Sequence, residues 1–280
     1  MFTPELYDIA IHIDNIKRVS EINRVLSDFL NCSEEESLKL LFADPSIVLR
    51  GVTVSIAETL KNKIKAEVIL SNPITALYTL QINGGWDTFT EKIIQVINEL
   101  TFPVIIKKQK IIENIDFNTT QIIWNRFKQT GRINIINQDF QRFQILLHEF
   151  DIENKKHKEC LFKVVGIPYN FLYVLSDKLP VVLDESVDRI RLLNKIETYN
   201  KAGLKCSFQP LLFQNYKIVL HNIINYDTTK GIIKHYFPRW KGVAVKKSWK
   251  SPKINSYLRT RYIAQQLKEA GCSVETIRVE

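Results

Sequence analysis

Four short runs along the chain alternate apolar and polar residues, a pattern typical of β-strands that bury one face. They occupy residues 7–12, 78–83, 143–148 and 216–221. The first, third and fourth runs end in histidine, and the second ends in asparagine. Because the same pattern returns at similar spacing, we expect an internal repeat and not one continuous sheet.

Each run is followed by apolar residues three or four positions apart, which predicts a helix packed on the strands. In the first repeat this stripe consists of Val19, Ile22, Val25 and Phe29. Ser33 and the three glutamates after it indicate the start of a second helix, since a serine cap and acidic residues favour a helix N-terminus. In the third repeat, the helical stretch through Cys160 is expected to break near Gly166 and to resume at Phe171.

A proline and an extended segment come next in every repeat, and a further helix and strand close it. The prolines are Pro45, Pro103, Pro180 and Pro252. A proline at the head of a strand removes no ladder hydrogen bond, so we expect a strand after each one. The closing helices carry apolar residues at helical spacing, and we expect the equivalent positions Ile56, Leu60, Ile263 and Leu267 to be buried. The other two closing helices carry Ile123 and Phe127, and Ile190, Leu193 and Ile196.

These patterns predict an α+β fold of four tandem units of about 70 residues, each a small three-stranded sheet with two or three helices. The units, called repeats 1 to 4 below, span residues 6–71, 76–138, 142–212 and 215–280. A domain of this size buries only about 60% of the surface of its unfolded chain. Because the connections are only a few residues long, we expect the repeats to pack together and to stabilise one another.

Repeat 1 contains a proline, then an extended run ending in Gly-Val, then a helix with the pattern Ala-x-x-Leu-Lys. The residues are Pro45, Arg50-Gly51-Val52-Thr53 and Ala57-Glu58-Thr59-Leu60-Lys61. The end of repeat 4, residues 263–271, has a similar closing helix and turn. This order resembles the C-terminal domain of the bacterial ribosomal stalk protein, and the small adaptor of the Clp protease is similar in fold. Repeats 2 and 3 share the pattern more than the residues.

The resemblance implies the order strand, two helices, strand, helix, strand, together with binding of protein partners. In the stalk family, a lysine-rich first helix and a glycine-rich turn recruit translational GTPases. Here the first helix contains Glu21 and Asp28 among its basic residues, and the turn at residues 31–34 has no glycine. The resemblance therefore implies the fold and protein binding, and it does not support a ribosomal stalk role.

The positive charge of the chain is concentrated in repeat 4. The 280 residues are 45% hydrophobic and 25% charged, with a net charge of +9, values ordinary for a globular protein. Residues 215–280 contain 13 Lys and Arg against 4 Asp and Glu, so this repeat alone carries +9. Such asymmetry indicates either contact with an anionic partner or a solvated basic face.

Within repeat 4, residues 239–261 contain eight cations and no acidic residue. Cations contact phosphates and aromatic faces stack on bases, so this segment predicts an RNA- or DNA-binding surface. The candidate residues are Arg239, Trp240, Lys241, Lys246, Lys247, Trp249, Lys250, Lys253, Arg259 and Arg261. Core positions for Trp240 or Trp249 stay open, as does an acidic protein or lipid headgroup as the target.

The sequence contains no recognisable catalytic, phosphate-binding or metal-binding motif, so no cofactor is expected. The histidines at the strand ends lie in three different repeats, too far apart to share one metal ion. Asp188 and its acidic neighbours at residues 184–185 lie before a predicted helix, which favours a capping role. An enzyme whose site is assembled from scattered residues stays open.

Cysteine usage and hydropathy favour a cytoplasmic protein. The four cysteines have no close pair, which indicates reduced thiols. No signal peptide is visible at the N-terminus, and no apolar run is long enough for a transmembrane helix. The leading hypothesis is a non-catalytic adaptor or scaffold that binds a protein partner. The second is an RNA- or DNA-binding protein that uses repeat 4, and the third is an enzyme with a site between repeats. The oligomeric state stays open.

Overall fold

In the computed structural model, four three-stranded antiparallel sheets follow one another along the chain. The structure describes residues 5–85, 87–100, 111–212, 214–239 and 248–279. Helices accompany every sheet, so the predicted α+β fold of four units is confirmed. Within the described residues, no helix combines the length and the apolar character needed to cross a bilayer.

Repeat 1 has two helices between its first and second strands. Its elements are β1 (Tyr7–His12), α1 (Val19–Leu30), α2 (Glu34–Leu41), β2 (Ile47–Val52), α3 (Val54–Lys63) and β3 (Glu67–Ser71). The Ser33 hydroxyl accepts a hydrogen bond from Glu36 N, and the Glu36 carboxylate accepts one from Ser33 N at 3.0 Å. This capping box starts the second helix at the position that the sequence predicts.

Repeat 2 contains two described helices, one after its first strand and one after its second. Its elements are β4 (Tyr78–Ile82), α4 (Thr88–Leu100), β5 (Ile111–Ile115), α5 (Phe117–Phe127) and β6 (Ile133–Asn137). The strand expected directly after Pro103 lies outside the described residues, and β5 is the strand that pairs with β4 on this side. Asp116 caps α5, because its Oδ1 accepts a hydrogen bond from Thr119 N at 3.0 Å.

Repeat 3 has a broken helical stretch between its first two strands. Its elements are β7 (Phe143–Glu149), α6 (Lys155–Cys160), α7 (Leu172–Ser176), β8 (Val181–Val187), α8 (Arg189–Ala202) and β9 (Lys205–Pro210). A π-helical turn, Leu161–Val165, follows α6 and ends at Gly166, whose φ of 84° is left-handed. Pro168 and a 3-10 turn then lead into the five-residue α7. The predicted break near Gly166 is therefore confirmed.

Repeat 4 is built from β10 (Asn215–His221), α9 (Tyr226–Tyr236), β11 (Ser248–Lys250), α10 (Tyr257–Glu269) and β12 (Ser273–Val279). The strand predicted after Pro252 is wrong, because the paired strand β11 precedes that proline. The Ser251 hydroxyl accepts the hydrogen bond of Ile218 N at 2.9 Å, a position that a strand carbonyl would otherwise take. Beyond it, Ile254 makes only an isolated bridge to Tyr216.

All four sheets have the same strand order, with the first strand of the repeat in the centre and the other two strands at its sides. Since successive strand residues point to opposite faces, alternate residues of each central strand enter the core of its repeat. These residues are Ile9 and Ile11, Leu80 and Ile82, Ile145 and Leu147, and Ile218 and Leu220. The alternation read from the sequence thus identifies the buried face in every repeat.

The closing helix of repeat 1 faces the core with a different residue than predicted. Leu60 is fully buried, as are Ile263 and Leu267 in repeat 4, but Ile56 is 40% exposed. Ala57 takes the inward position instead. Helix residues three or four positions apart lie on the same face. Ala57 lies three positions before Leu60 and Ile56 lies four positions before it, so both spacings are compatible with a buried face.

The closing helix of repeat 3 also presents a different face. Of the apolar residues at helical spacing, Ile190 and Leu193 are 75% and 64% exposed, whereas Ile196 is partly buried against the core. Leu192 and Tyr199 are buried instead. The Tyr199 hydroxyl donates a hydrogen bond to Asp184 Oδ2 on β8 at 2.6 Å, which satisfies the phenol inside the core and fixes this face of α8 inward.

The described chain forms two compact bodies. One contains repeats 1, 2 and 4, and the other is repeat 3, Gln138–Leu211. In the first body, α10 packs on the helices of repeat 1. The Tyr262 ring lies 5.5 Å from that of Phe42, and its hydroxyl is 3.0 Å from Ser20 Oγ. As domain limits, the four ranges read from the sequence stay predictions.

Candidate functional site

Four of the ten residues that the sequence selects for anion binding lie outside the described residues. They are Trp240, Lys241, Lys246 and Lys247. Arg239, Lys250 and Lys253 are described and exposed. Arg239 follows α9, Lys250 ends β11 and Lys253 lies in the loop after it, so repeat 4 has basic side chains on both sides of the segment that is not described.

The two arginines of α10 contact aromatic rings of their own repeat. Arg259 Nη2 donates to Tyr236 O at 3.0 Å, and its guanidinium lies 6.0 Å from the centroid of the Phe237 ring. Arg261 lies 5.5 Å from the centroid of the Tyr257 ring. Each contact orients the cation along the surface of repeat 4.

Trp249 belongs to the core of repeat 4. Only 6% of the residue is exposed, and its ring lies 5.6 Å from that of Phe237. A base stacks on a ring face that solvent can reach, and this face is enclosed. Of the two roles that the sequence leaves open for Trp249, the structure shows the core role.

The histidines at the strand ends each contact a neighbour within their own repeat. His148 Nε2 lies 2.6 Å from Ser207 Oγ, and His221 Nε2 lies 3.5 Å from Glu275 Oε2. Among the described residues, no three His, Cys, Asp or Glu side chains come together as a metal site would require.

The acidic residues before α8 have structural contacts. Asp188 caps the helix, since its Oδ1 accepts a hydrogen bond from Arg191 N at 2.7 Å, and the predicted capping role is confirmed. Asp184 accepts hydrogen bonds from the Tyr199 hydroxyl and from Lys195 Nζ. Burial, reinforced by the Asp184 carboxylate, raises the pKa of the Tyr199 phenol well above its usual range, so this hydroxyl keeps its proton.

A cleft of about 480 Å³ opens inside the body formed by repeats 1, 2 and 4. Its lining is rich in primary amides, which both donate and accept hydrogen bonds. The amides are Gln81, Asn83, Asn134, Gln214, Asn215 and Asn255. Trp124, which is 41% exposed, and Asp44 complete the polar and aromatic lining. We call this site the amide cleft.

Asp44 is the ionisable residue in the described lining of the amide cleft. The residue keeps partial exposure, but its Oδ2 is enclosed and has no hydrogen-bond partner among the described residues. Burial raises the pKa of Asp44 to about 7, although a hydrogen bond from the Tyr257 backbone opposes the shift. The cleft therefore contains a carboxyl group with an unused acceptor.

A second cavity, of about 330 Å³, lies beside the end of β1 in repeat 1. Its charged groups have partners close by. Arg18 Nε lies 3.1 Å from Glu21 Oε2, and His12 Nε2 lies 2.7 Å from Asp14 Oδ1. This cavity therefore offers a ligand fewer unsatisfied groups than the amide cleft does.

Repeat 3 exposes large apolar side chains along its broken helical stretch. Their exposed fractions run from 40% to 65%. The residues are Phe162, Val164, Tyr169, Phe171, Tyr173 and Val174. Phe162 and Tyr169 stack on each other, with ring centroids 4.8 Å apart and planes 19° from parallel. We call this set the aromatic surface of repeat 3.

Sequence reasoning identified neither the amide cleft nor the aromatic surface. The cleft is assembled from three repeats that are distant in sequence, so no local pattern marks it. The aromatic surface did have a local signal, because residues 162–173 contain four aromatic residues around a helix break. A helical pattern that is interrupted by Gly166 and Pro168 cannot place every apolar residue on one buried face.

Comparisons with protein-family models, with curated proteins and with solved structures find no match for this chain. The resemblance of repeat 1 to the ribosomal stalk domain therefore stays a prediction from the sequence.

Proposed function

We propose that the protein is a non-catalytic adaptor that binds a protein partner through the aromatic surface of repeat 3. The observation that supports this function is the concentration of exposed apolar side chains in one repeat. Repeat 3 holds 10 of the 21 exposed large apolar residues found in the described chain. Single exposed apolar residues are ordinary, whereas a cluster of them is typical of a protein-binding surface.

The exposed residues are additional to a filled core. Cys160, Leu161 and Leu172 of the same stretch already occupy the inward positions, and Leu161 and Leu172 are at most 1% exposed. Phe171 and Tyr173, which flank Leu172, are 56% and 65% exposed. Since the core of repeat 3 does not need these rings, their exposure costs hydration free energy that a partner would recover.

The charges around the aromatic surface favour a partner with an acidic rim. Residues 153–178 contain five lysines against three acidic residues. The lysines of α6 are only loosely paired, since Lys155 and Lys158 lie 3.9 Å from Glu159 and Glu153. An apolar contact with a rim of basic groups accelerates association with a surface that carries the opposite charge.

The test compares two variants as bait in a lysate of the source cell. Phe171→Ser with Tyr173→Ser removes two exposed rings, and Ile224→Ser is the matched control because Ile224 is 82% exposed in repeat 4. Proteins that the wild type and the control retain, but that the double variant loses, are the expected partners. Central aromatic contacts carry much of the affinity of an interface, so we expect retention to fall by about tenfold or more.

If the double variant retains the same proteins in the same amounts as the wild type, the adaptor function through this surface is wrong. Unfolding by urea, measured on all three proteins, shows whether a loss of binding follows from a loss of folding. Because the substituted rings are exposed, we expect the three unfolding midpoints to agree.

Nucleic-acid binding by repeat 4 is the second candidate function, and the local charge of residues 215–280 supports it. Replacing Lys246, Lys247 and Lys250 by Ala should weaken binding to random single-stranded RNA. It should also reduce the salt slope by roughly 2 if all three contact phosphate, since each contributes about 0.7 on a single strand. Absence of binding at low salt in a fluorescence anisotropy titration would exclude this function.

A further inference from the structure

The amide cleft borders the free edge of a β-sheet. In the sheet of repeat 2, β4 is central and β6 is an outer strand. Asn134, Ile135 and Ile136 are consecutive residues of β6, and all three line the cleft. Side chains of consecutive strand residues point to opposite faces, so three neighbours line one cavity only if the edge of the strand itself forms its wall.

The register of β6 shows which backbone groups point into the cleft. Asn83 N donates to Arg132 O at 2.7 Å, which makes this pair a hydrogen-bonded pair of the antiparallel ladder. Hydrogen-bonded pairs recur every second residue, and β4 pairs with β6 in continuous register. The Asn134 backbone groups therefore face β4, whereas the N–H and C=O of Ile135 point outward, on the side of the cleft.

The side chains along this edge match the hydrogen-bonding groups of a peptide. Gln81 and Asn134 face each other across β4 and β6, with Asn134 Nδ2 3.5 Å from Gln81 Oε1. Asn215 and Asn255, from repeat 4, also line the cleft. A primary amide donates to a peptide carbonyl and accepts from a peptide N–H, so the lining from both repeats can pair with a polypeptide backbone.

Two further groups in the cleft are a carboxyl and an exposed ring. Asp44 accepts a hydrogen bond from the Tyr257 backbone, but its Oδ2 is enclosed and accepts none from the described residues, which is costly for a buried polar atom. Trp124 of α5 also lines the cleft, and 41% of the residue is exposed. Its ring offers a flat contact for an apolar side chain of the ligand.

We propose that the amide cleft binds an extended polypeptide segment, which adds a strand to the outer edge of β6. Main-chain hydrogen bonds to Ile135 supply affinity, as in other cases of strand addition. The amides that line the cleft pair with the remaining peptide groups. Trp124 contacts one side chain of the segment. With the aromatic surface of repeat 3 on the other compact body, the chain then has the two separate binding sites that an adaptor needs.

The lining argues against an anionic ligand in this cleft. The described lining residues include no Lys, Arg or His, and nucleic-acid backbones are held mainly by cations. Peptide groups are uncharged and present donors and acceptors in alternation, which matches an open strand edge flanked by amides. An extended peptide therefore fits the cleft better than a nucleic-acid strand does.

The probe for the test is a phage library of random dodecapeptides, selected on the complete wild-type chain. The affinity of selected peptides is then measured by fluorescence anisotropy for the wild type and for three variants. Ile135→Pro removes the outward N–H and leaves the bonds to β4, a position where an edge strand tolerates proline. Asn134→Ala removes a wall amide. Asn125→Ala is the matched control, because Asn125 lies next to Trp124 on α5 but is exposed outside the cleft.

We expect Ile135→Pro and Asn134→Ala each to weaken peptide binding by about tenfold, the usual range for one lost hydrogen bond in a desolvated site. Asn125→Ala should bind as the wild type does. Hydrogen exchange provides a second readout, since the Ile135 amide should exchange about tenfold more slowly when the peptide is bound.

Each of the following results would overturn the proposal. Selection could yield no peptide that prefers the wild type over Ile135→Pro, the affinity could be unchanged in Asn134→Ala, or the Ile135 amide could gain no protection. Competition by random single-stranded RNA at equal affinity would assign the cleft to nucleic acid instead. If Ile135→Pro fails to fold, Asn134→Ala and hydrogen exchange still decide. The outcome is independent of the aromatic surface of repeat 3, because none of these substitutions lies in that repeat.

Discussion

Repeats 1 and 3 share one strand order but place their apolar helical residues differently. In repeat 1, α1 and α2 are 12 and 8 residues long, and α10 of repeat 4 packs on them through Tyr262. In repeat 3, α6 and α7 are 6 and 5 residues long, and the stretch from the end of α6 through α7 exposes six large apolar side chains. The same scaffold thus supports one helix pair that is packed within the chain and one whose apolar side chains are exposed.

The difference originates in the residues at the helix junction. In repeat 1, α1 ends at Asn31 in a left-handed conformation with φ 50°, and the capping box of Ser33 restarts a regular helix at once. In repeat 3, Gly166 and Pro168 separate the two helices, and the residues between them do not continue the 3.6-residue period. Without that period, neighbouring apolar residues point in different directions. A local break in a helix can therefore leave core-type residues exposed.

The largest effect on stability is expected from substitutions in the hydrophobic cores, because repeats 1 and 3 both depend on a packed core. Leu60→Ala in repeat 1 and Leu147→Ala in repeat 3 each remove a side chain that is 0% exposed. We expect each to reduce the free energy of unfolding by roughly 2–5 kcal/mol, as transfer and cavity effects add. Urea unfolding measures the loss, and Leu267→Ala provides the same test in repeat 4. A loss below about 0.5 kcal/mol would contradict the assigned faces.

The second prediction concerns the residue before the proline that heads the second strand, which is Asp44 in repeat 1 and Leu179 in repeat 3. Burial raises the pKa of Asp44 from 3.8 to about 7. Between these values the folded chain binds more protons at this group than the unfolded chain does, so stability falls as the pH rises through this window. Asp44→Asn should remove the fall and stabilise the protein at pH 8 by roughly 2–4 kcal/mol.

The measurement compares urea unfolding of the wild type and Asp44→Asn at pH 5 and at pH 8. Leu179→Asn is the matched control, because it introduces the same amide at the corresponding place in repeat 3, where no acid is replaced. The control should lower stability equally at both pH values. A pH dependence of the wild type that survives in Asp44→Asn would show that another group causes it.

The order of elements along the chain and the buried faces of the central strands followed from the sequence, and the amide cleft and the aromatic surface did not, for a physical reason. Alternation in the central strands, such as Ile9 and Ile11, reports burial directly, since one face of each sheet is covered. The inward face of α8 has no local signal, because the Tyr199 hydroxyl is satisfied in the core only by the hydrogen bond that it donates to Asp184 on β8. The amide cleft joins Asn83, Asn134 and Asn255 through tertiary packing alone, and no local pattern encodes that.

The third prediction tests the packing of α10 on the helices of repeat 1. Tyr262→Ala removes a ring 5.5 Å from that of Phe42 and a hydroxyl 3.0 Å from Ser20 Oγ. We expect a loss of roughly 1–3 kcal/mol, the combined effect of an aromatic pair and one hydrogen bond. The variant should also bind more of a hydrophobic dye, because the surface of repeat 1 then resembles that of repeat 3. Tyr262→Phe, which keeps the ring, should lose only the stability that the hydrogen bond contributes.

The smallest effect on stability, and the sharpest contrast with repeat 1, is expected from the aromatic surface of repeat 3. Phe171→Ala and Tyr173→Ala remove rings that are 56% and 65% exposed. A surface substitution that breaks no cap and opens no cavity usually changes stability by less than about 0.5 kcal/mol. We therefore expect unchanged urea midpoints. These variants should bind less of the hydrophobic dye than the wild type, whereas Tyr262→Ala should bind more. A loss above about 1 kcal/mol would mean that these rings support the fold of repeat 3, and the contrast between a packed and an open helix pair would be lost.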